Sequence, residues 1–203
     1  MPERYFGRVA SSIWGSRKFC RLPDAECKLA FFWICANTDA STIGIYRLRP
    51  GLLAMEVTGG DLSRAHELLA ELSKVGLIDW ADDHVRIVQY FRKLPPDNFK
   101  QIIGAIRKFE ALDINDADMR DRAAIELVFY CMKRLREMKP SEATIDAGTR
   151  CTQLIEPIAR ENPARFLAIV EALGLKRSDP VWREAIVLWT TPQAIDAAAL
   201  KSL

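Results

Sequence analysis

The stretch from residue 22 to residue 91 constrains the fold most, because its apolar residues change spacing several times in a definite order. A helix comes first, and Asp24 is suited to cap it. The apolar residues of this helix recur at helical spacing, at Cys27, Ala30, Phe31 and Ile34. Because the positions between them are also largely apolar, this helix is expected inside a core.

A strand and two more helices are predicted next. Residues 44–48 are rich in β-branched and aromatic side chains, which favours a strand. Pro50 suits the first turn of a helix that Gly59 and Gly60 end. A third helix begins near residues 61–63 and closes at Gly76. Its inward residues are predicted to be Ala65, Leu68, Leu69 and Leu72.

A β-hairpin is expected after the third helix. Residues 77–80 and 85–90 alternate apolar and polar side chains around a tip of Asp82, Asp83 and His84. The order helix, strand, helix, helix, hairpin is that of a winged helix, in which a hairpin wing follows a helix-turn-helix. The helix-turn-helix is above all a nucleic-acid-docking motif, so the third helix is the candidate recognition helix.

Several short stretches carry a resemblance to a known group of proteins. They are residues 8–14, Phe19, and residues 28–29, 44–47, 69–72, 76–78 and 96–101. Through them, the chain from about residue 4 to residue 112 resembles phage- and prophage-encoded winged-helix proteins. Those proteins are usually grouped with replication initiators and helicase-loader-like proteins, so the resemblance implies a role in DNA replication. It does not extend to residues 113–203.

Length and charge favour a chain of two parts. The 203 residues are 49% hydrophobic, which is enough to bury a sizeable core. Residues 1–109 carry 16 Lys and Arg against 12 Asp and Glu, whereas residues 110–203 carry 13 against 15. We predict a mainly α-helical protein, with a winged-helix domain and basic N-terminal arm over residues 1–112 and an all-helical C-terminal domain over residues 113–203.

Two basic surfaces are candidates for contact with DNA phosphates. The first is an N-terminal arm that has a single acid, Glu3, in 21 residues and several aromatic side chains. Its cations are Arg4, Arg8, Arg17, Lys18 and Arg21. The second is the outer face of a helix over residues 97–112 and the residues before it. Its cations are Arg92, Lys93, Lys100, Arg107 and Lys108. The alternative in both places is a packed or solvated segment without a ligand.

The candidate recognition helix gives the weakest support for DNA binding. Its candidate contact residues are Ser63, Arg64 and Lys74, but the carboxylates Glu67 and Glu71 are also predicted to face outward. Carboxylates repel a phosphate array, and the predicted hairpin tip carries two more. The sequence therefore predicts modest, salt-sensitive DNA affinity, or a protein partner on this face.

The C-terminal region is predicted to consist of helices that begin at proline residues. A helix over residues 119–138 ends at Pro140, and three short helices start at the pairs 162–163, 179–180 and 191–192. Trp182 and Trp189 lie seven residues apart on one predicted face. They are either core residues, of which we expect at least one to be buried, or a surface for a partner or a second copy of the chain.

The remaining patterns argue against an enzyme. The sequence predicts no catalytic, metal or cofactor site, because it has only two histidines, its five cysteines lack paired short spacing, and it contains no Gly-rich phosphate loop. The acidic residues Asp113, Asp116, Asp118 and Asp121 are typical of a helix start. No apolar run reaches the roughly 18 residues of a membrane span, so a cytoplasmic protein is expected.

These observations lead to one function and two alternatives. The leading hypothesis is a DNA-binding winged-helix protein of phage or prophage type that acts in replication initiation with a replication-protein partner. The alternatives are a protein-interaction module that uses the winged helix without DNA, for example as a phage-encoded inhibitor of a host machine, and a transcriptional regulator. A positive surface that joins the arm, Arg64 and Lys100 would favour DNA, and an interrupted one would favour a protein partner.

Overall fold

The computed structural model describes residues 11–176 and 178–182. In this part of the chain the protein is mainly helical and contains one three-stranded antiparallel sheet. The first elements are a 3-10 turn at Ser11–Gly15, α1 (Arg17–Cys20), α2 (Ala25–Ala36), β1 (Ile45–Arg47), α3 (Pro50–Val57), α4 (Leu62–Lys74), β2 (Ile78–Ala81) and β3 (His84–Ile87). The later elements are α5 (Tyr90–Lys93), α6 (Phe99–Glu110), α7 (Ala117–Arg136), α8 (Glu142–Glu161) and α9 (Pro163–Ala172).

The helices of the N-terminal half begin and end at the residues that the sequence indicates. Asp24 accepts a hydrogen bond from the Cys27 backbone N–H at 2.7 Å and so caps α2. Asp61 caps α4 in the same way, and Pro50 is the first residue of α3. Gly76 has a φ of 72° after α4, a left-handed conformation that suits glycine.

The hairpin is present but shorter than predicted. Asp82 and Asp83 form its two-residue tip with φ of 45° and 59°, as a type I′ turn requires. His84 belongs to β3, which ends at Ile87 instead of continuing to residue 90. Gln89, with a φ of 60°, turns the chain out of the sheet and into α5.

The sheet lies between two hydrophobic clusters, in the strand order β1-β3-β2. Tyr46, Ile78 and Val85 belong to the N-terminal cluster, whereas Ile45 belongs to the cluster of the C-terminal helices. All four residues of β3 are buried, including Arg86. The expected solvent-facing side of the hairpin is therefore covered, because helices from the C-terminal half pack over it.

The C-terminal half contains a helix that the sequence did not reveal. This helix, α8, is 20 residues long, starts at a capping box formed by Ser141 and Thr144, and includes Pro157. It packs against α6, α7 and α9. Asn162 caps α9 and Pro163 is its first residue, as predicted. Helices are the only regular elements between residue 113 and residue 182 in the described part of the chain.

The Trp182 side chain lies in the C-terminal core. It is 2% exposed, and its ring centroid is 5.2 Å from that of Phe129 and 5.5 Å from that of Phe166. The prediction that at least one of the two tryptophans is buried is confirmed, and Trp182 has no exposed face for a partner. Trp189 and the predicted helix start at residues 191–192 lie outside the described residues. No helix in the described ranges is long and apolar enough to cross a membrane.

Candidate functional site

Arg64, in the first turn of α4, is held by carboxylates on two helices. Its guanidinium nitrogens lie 2.8 Å from Asp24 Oδ2, 2.7 Å from Glu26 Oε2 and 3.1 Å from Glu67 Oε2. The hydrogen bonds to Glu26 and Glu67 raise the pKa of Arg64 above its ordinary value. The side chain is only 30% exposed. Arg64 is therefore half-buried and not as exposed as predicted, because α2 and its cap supply two of its three partners.

The rest of the outward face of α4 is also compensated in charge. Leu68 and Leu72 are fully buried, as predicted, which directs the polar residues to solvent. Lys74, the other cation of this helix, lies 3.4 Å from Glu71 Oε1. Ser63 is exposed and uncharged. The candidate recognition helix thus presents no cation that is free of a carboxylate partner.

The described part of the N-terminal arm packs on the domain as helical turns. Phe19 is 1% exposed and contacts the rings of Phe31 and Phe32. Trp14 packs edge-on to Phe19 at 5.5 Å but remains 66% exposed. The cations of this segment, Arg17, Lys18 and Arg21, are exposed and form no ion pair with a described residue. Arg4 and Arg8 lie outside the described residues.

A groove of about 340 Å³ lies between this N-terminal segment, α2 and the chain that leaves β3. Lys18, Arg92 and Lys93 line it, and none of its described lining residues is a carboxylate. Its apolar lining residues are Ile13, Phe31, Cys35, Leu77, Ile87, Val88, Tyr90 and Leu94. Burial raises the pKa of the Cys35 thiol to about 12, so this group is neutral at physiological pH. The groove combines an apolar floor with a cationic rim.

Two hydrogen bonds hold the parts of this rim together. Lys18 Nζ donates to the Gly76 carbonyl oxygen at 2.9 Å, which joins the N-terminal segment to the end of the α4 region. Lys93 Nζ donates to Ser12 Oγ at 3.3 Å, which joins α5 to the same segment. Arg92 and Lys93 are exposed and have no carboxylate partner among the described residues. The predicted arm and the predicted cations after the hairpin therefore share one surface.

The outer face of α6 is a separate candidate surface. Lys100, Arg107 and Lys108 are all exposed, as the helical spacing predicts. Lys108 Nζ donates to Thr42 Oγ1 at 2.7 Å, and none of the three forms an ion pair within the part of the chain that is described. These cations do not line the groove.

The groove and Arg64 are at opposite ends of α4. Lys74, the last residue of α4, is ten positions after Arg64, which corresponds to about 15 Å at the helical rise per residue. Arg64 is also surrounded by carboxylates, so a continuous positive surface does not reach it. The surface that the sequence suggested is thus interrupted at Arg64, and Lys100 lies outside the groove that Lys18, Arg92 and Lys93 line. By the criterion stated from the sequence, this interruption favours a protein partner.

The acidic cluster before α7 has structural contacts. Asp116 accepts a hydrogen bond from the Met119 backbone N–H and caps the helix. Asp121 is buried, and Arg165 Nη2 lies 2.9 Å from its Oδ2. Burial raises the pKa of the Asp121 carboxyl. Over residues 11–176 and 178–182, no group of three or more His, Cys, Asp or Glu side chains is arranged to hold a metal ion.

Sequence reasoning missed the partners of Arg64 and the groove itself. Asp24 and Glu26 lie 40 and 38 residues before Arg64 in the chain. The groove is assembled from residues 12 to 94. Comparisons with protein-family models, with curated proteins and with solved structures find no match to this chain.

Proposed function

We propose that the protein is a winged-helix DNA-binding protein that contacts phosphates through the cationic rim of the groove, in place of its recognition helix. The order α2, β1, α3, α4, β2, β3 and the pairing of β3 with both other strands support the winged-helix assignment. In this assignment α4 is the recognition helix, and the hairpin of β2 and β3 is the wing.

The observation that carries the proposal is the contrast between free and paired cations. Lys18, Arg92 and Lys93 line one groove that has no carboxylate in the described part of the chain. In contrast, Arg64 and Lys74 on the proposed recognition helix are both ion-paired. A cation that contacts phosphate gains affinity by releasing counterions from DNA. A cation already neutralised by protein carboxylates must first break those contacts, so it contributes less.

The biological role that we propose follows from the resemblance of residues 4–112 to phage and prophage replication proteins. In this role the protein is a cytoplasmic, non-enzymatic factor of replication initiation. Its C-terminal helices then bind a replication-protein partner or a second copy of this chain. The binding is modest in affinity and depends on salt, because few phosphates are contacted.

Fluorescence anisotropy with a labelled duplex at several salt concentrations tests this proposal. We expect the triple variant Lys18→Ala, Arg92→Ala, Lys93→Ala to bind the duplex more weakly. The slope of log affinity against log salt concentration should become smaller in magnitude by about 0.9 for each phosphate that the variant no longer neutralises. Replacing the arm residues Arg4, Arg8, Arg17 and Lys18 should act in the same direction. The control is Lys133→Ala with Lys139→Ala, because these exposed lysines lie in the other half. Unchanged affinity and slope in both rim and arm variants would contradict the proposal.

A protein-interaction module is the second candidate, and two observations favour it. The first is the interruption of the positive surface at Arg64, by the criterion stated from the sequence. The second is the apolar surface of α3 and α4. The α3–α4 region exposes large apolar side chains, with Met55 75% and Leu62 49% exposed, beside the charge-compensated face of α4. Such a surface suits a protein partner better than a phosphate array. Absence of DNA binding at low salt would favour this module, either in replication or as an inhibitor of a host machine. Strong preference for one duplex sequence would instead indicate a transcriptional regulator.

A further inference from the structure

We propose that the groove is a binding site for single-stranded DNA, with phosphates on its cationic rim and one base on its apolar floor. This inference rests on the proposed function, because it assigns the form of DNA that the rim recognises. The groove volume of about 340 Å³ falls within the range of pockets that enclose small organic groups. A base with its sugar is a group of that kind.

The shape of the groove distinguishes single strands from duplex. A duplex presents its phosphates as ridges and keeps its bases stacked inside, so only the rim cations would be used. Placing a duplex base on the floor requires that the base flip out, which costs a few kcal/mol. In a single strand the bases are already free to leave the stack. Only a single strand can therefore place a base against the recessed apolar floor without that cost.

The lining supplies the groups that a single strand needs. Ile13, Val88 and Tyr90 are partly exposed and provide apolar surface for a base. Lys18 and Arg92 provide charge for its phosphates. Together these features match the usual single-strand site, a positive groove with apolar and aromatic surface beneath it.

Two polar or aromatic side chains at the groove extend this match. Gln89 lines it and has both a donor and an acceptor in its amide, as a base edge requires. Trp14 does not itself line the groove, and its ring packs against Phe19 and Phe32. It lies in the chain between the lining residues Ile13 and Gly15, and its 66% exposure leaves ring surface on which a neighbouring base could stack.

Charge disfavours the chain's own N-terminus as the occupant. Residues 1–10 carry Arg4 and Arg8 against the single acid Glu3, so they have the same sign of charge as the rim. A peptide of Asp and Glu residues has the right charge but carries no flat ring for the apolar floor. The observations therefore favour a single-stranded polynucleotide over both.

The test compares a labelled 12-nucleotide oligo-dT with a 12-base-pair duplex, both titrated with the full chain at low salt. Two variants probe the base-binding groups. Trp14→Ala removes an exposed ring, and Gln89→Gly removes the amide at a backbone φ of 60° that glycine accepts readily. The control is Met55→Ala, an exposed apolar residue of α3 that does not line the groove. Circular dichroism establishes that each variant is folded.

We expect tighter binding to oligo-dT than to duplex, and about tenfold weaker oligo-dT binding for Trp14→Ala, within the range of base–aromatic stacking. Gln89→Gly should also weaken oligo-dT binding, while duplex binding stays unchanged in both variants.

Duplex binding that is as tight as oligo-dT binding and insensitive to both variants would overturn this inference and leave the proposed function standing. Competition by poly-glutamate equal to that by oligo-dT would overturn the inference in favour of an acidic peptide. No binding to either DNA would overturn both proposals.

Discussion

Arg86 on β3 and Glu126 on α7 form an ion pair in which each side chain is only 4% exposed. Arg86 Nη2 donates to Glu126 Oε2, and Arg86 Nη1 donates to Asp79 on the neighbouring strand β2. The pair joins the sheet to the C-terminal helices on the face that a free wing would present to a ligand. The hairpin is therefore part of the contact between the two halves.

Removing one member of this pair should destabilise the protein strongly. Glu126→Ala leaves the Arg86 charge buried with only Asp79 as partner, so we expect a loss of about 3–5 kcal/mol in the free energy of unfolding. Urea denaturation measures it. The control is Asp146→Ala, which breaks an exposed ion pair with Arg150 on α8 and should cost less than about 1 kcal/mol. Equal losses in the two variants would show that burial of the Arg86 pair contributes nothing.

Arg64 should act in stability and not in DNA binding. Arg64→Ala leaves Asp24, Glu26 and Glu67 without their shared cation, and we expect a loss of about 1 kcal/mol that shrinks at high salt. DNA affinity should remain unchanged. Lys74→Ala is the control, since Lys74 is 75% exposed and has one partner. A large loss of DNA affinity at unchanged stability would restore Arg64 as a recognition residue.

Asp121 should make stability depend on pH. Burial raises its pKa above the ordinary 3.8, against the opposing effect of Arg165. When the pKa of a carboxyl is higher in the folded state than in the unfolded state, its favourable contribution to the free energy of unfolding is fully present below the unfolded pKa. That contribution is lost as pH rises through the folded pKa. Asp121→Asn does not titrate, so its unfolding free energy should rise relative to that of the unmodified protein as pH increases above the ordinary aspartate pKa of 3.8.

Urea denaturation at several pH values measures this difference. The matched control is Asp113→Asn, because Asp113 is an exposed aspartate of the same stretch. Comparison of the two variants separates the effect of burial from the effect of removing an aspartate from this stretch. A constant difference for Asp121→Asn would contradict the account of the buried carboxyl.

Two glycines should respond to alanine in opposite directions. Gly44 has a φ of 68°, and a Cβ at this position would overlap the Tyr90 ring. We expect Gly44→Ala to lower the melting temperature and to cost about 2–4 kcal/mol from backbone strain and overpacking. Gly104 lies in α6 with open space around it, so Gly104→Ala should gain about 0.5–1 kcal/mol. Similar melting temperatures for the two variants would contradict the close approach of Tyr90 to residue 44.

The sequence predicted what depends on local patterns. The caps at Asp24 and Asp61 and the proline at residue 50 identify helix starts because these signals lie within a few residues of the helix itself. In α8 the signal was weak, because its fully buried side chains include the small Ala147 and Cys151, and because Pro157 lies within it. Helix length in this case comes from packing against three other helices.

Features that depend on distant residues were not predictable. The alternation in residues 85–90 indicates one buried face but cannot reveal that α7 covers the other, with Glu126 placed 40 residues after Arg86. The spacing around Arg64 likewise places it on the outer face of α4 but does not identify the carboxylates of Asp24 and Glu26 as its partners. The predicted cations Lys18, Arg92 and Lys93 were identified from composition, and only the fold brings them to one groove.

An NMR titration that maps backbone amide shifts onto the structure tests most directly whether the groove, and not the recognition helix, contacts DNA. The full chain, labelled with ¹⁵N, is titrated at low salt with whichever of oligo-dT and duplex binds more tightly. The account predicts the largest shifts at Lys18, Gly76, Gln89, Arg92 and Lys93. Shifts confined to the Arg64 end of α4, or no shifts at all, would contradict it.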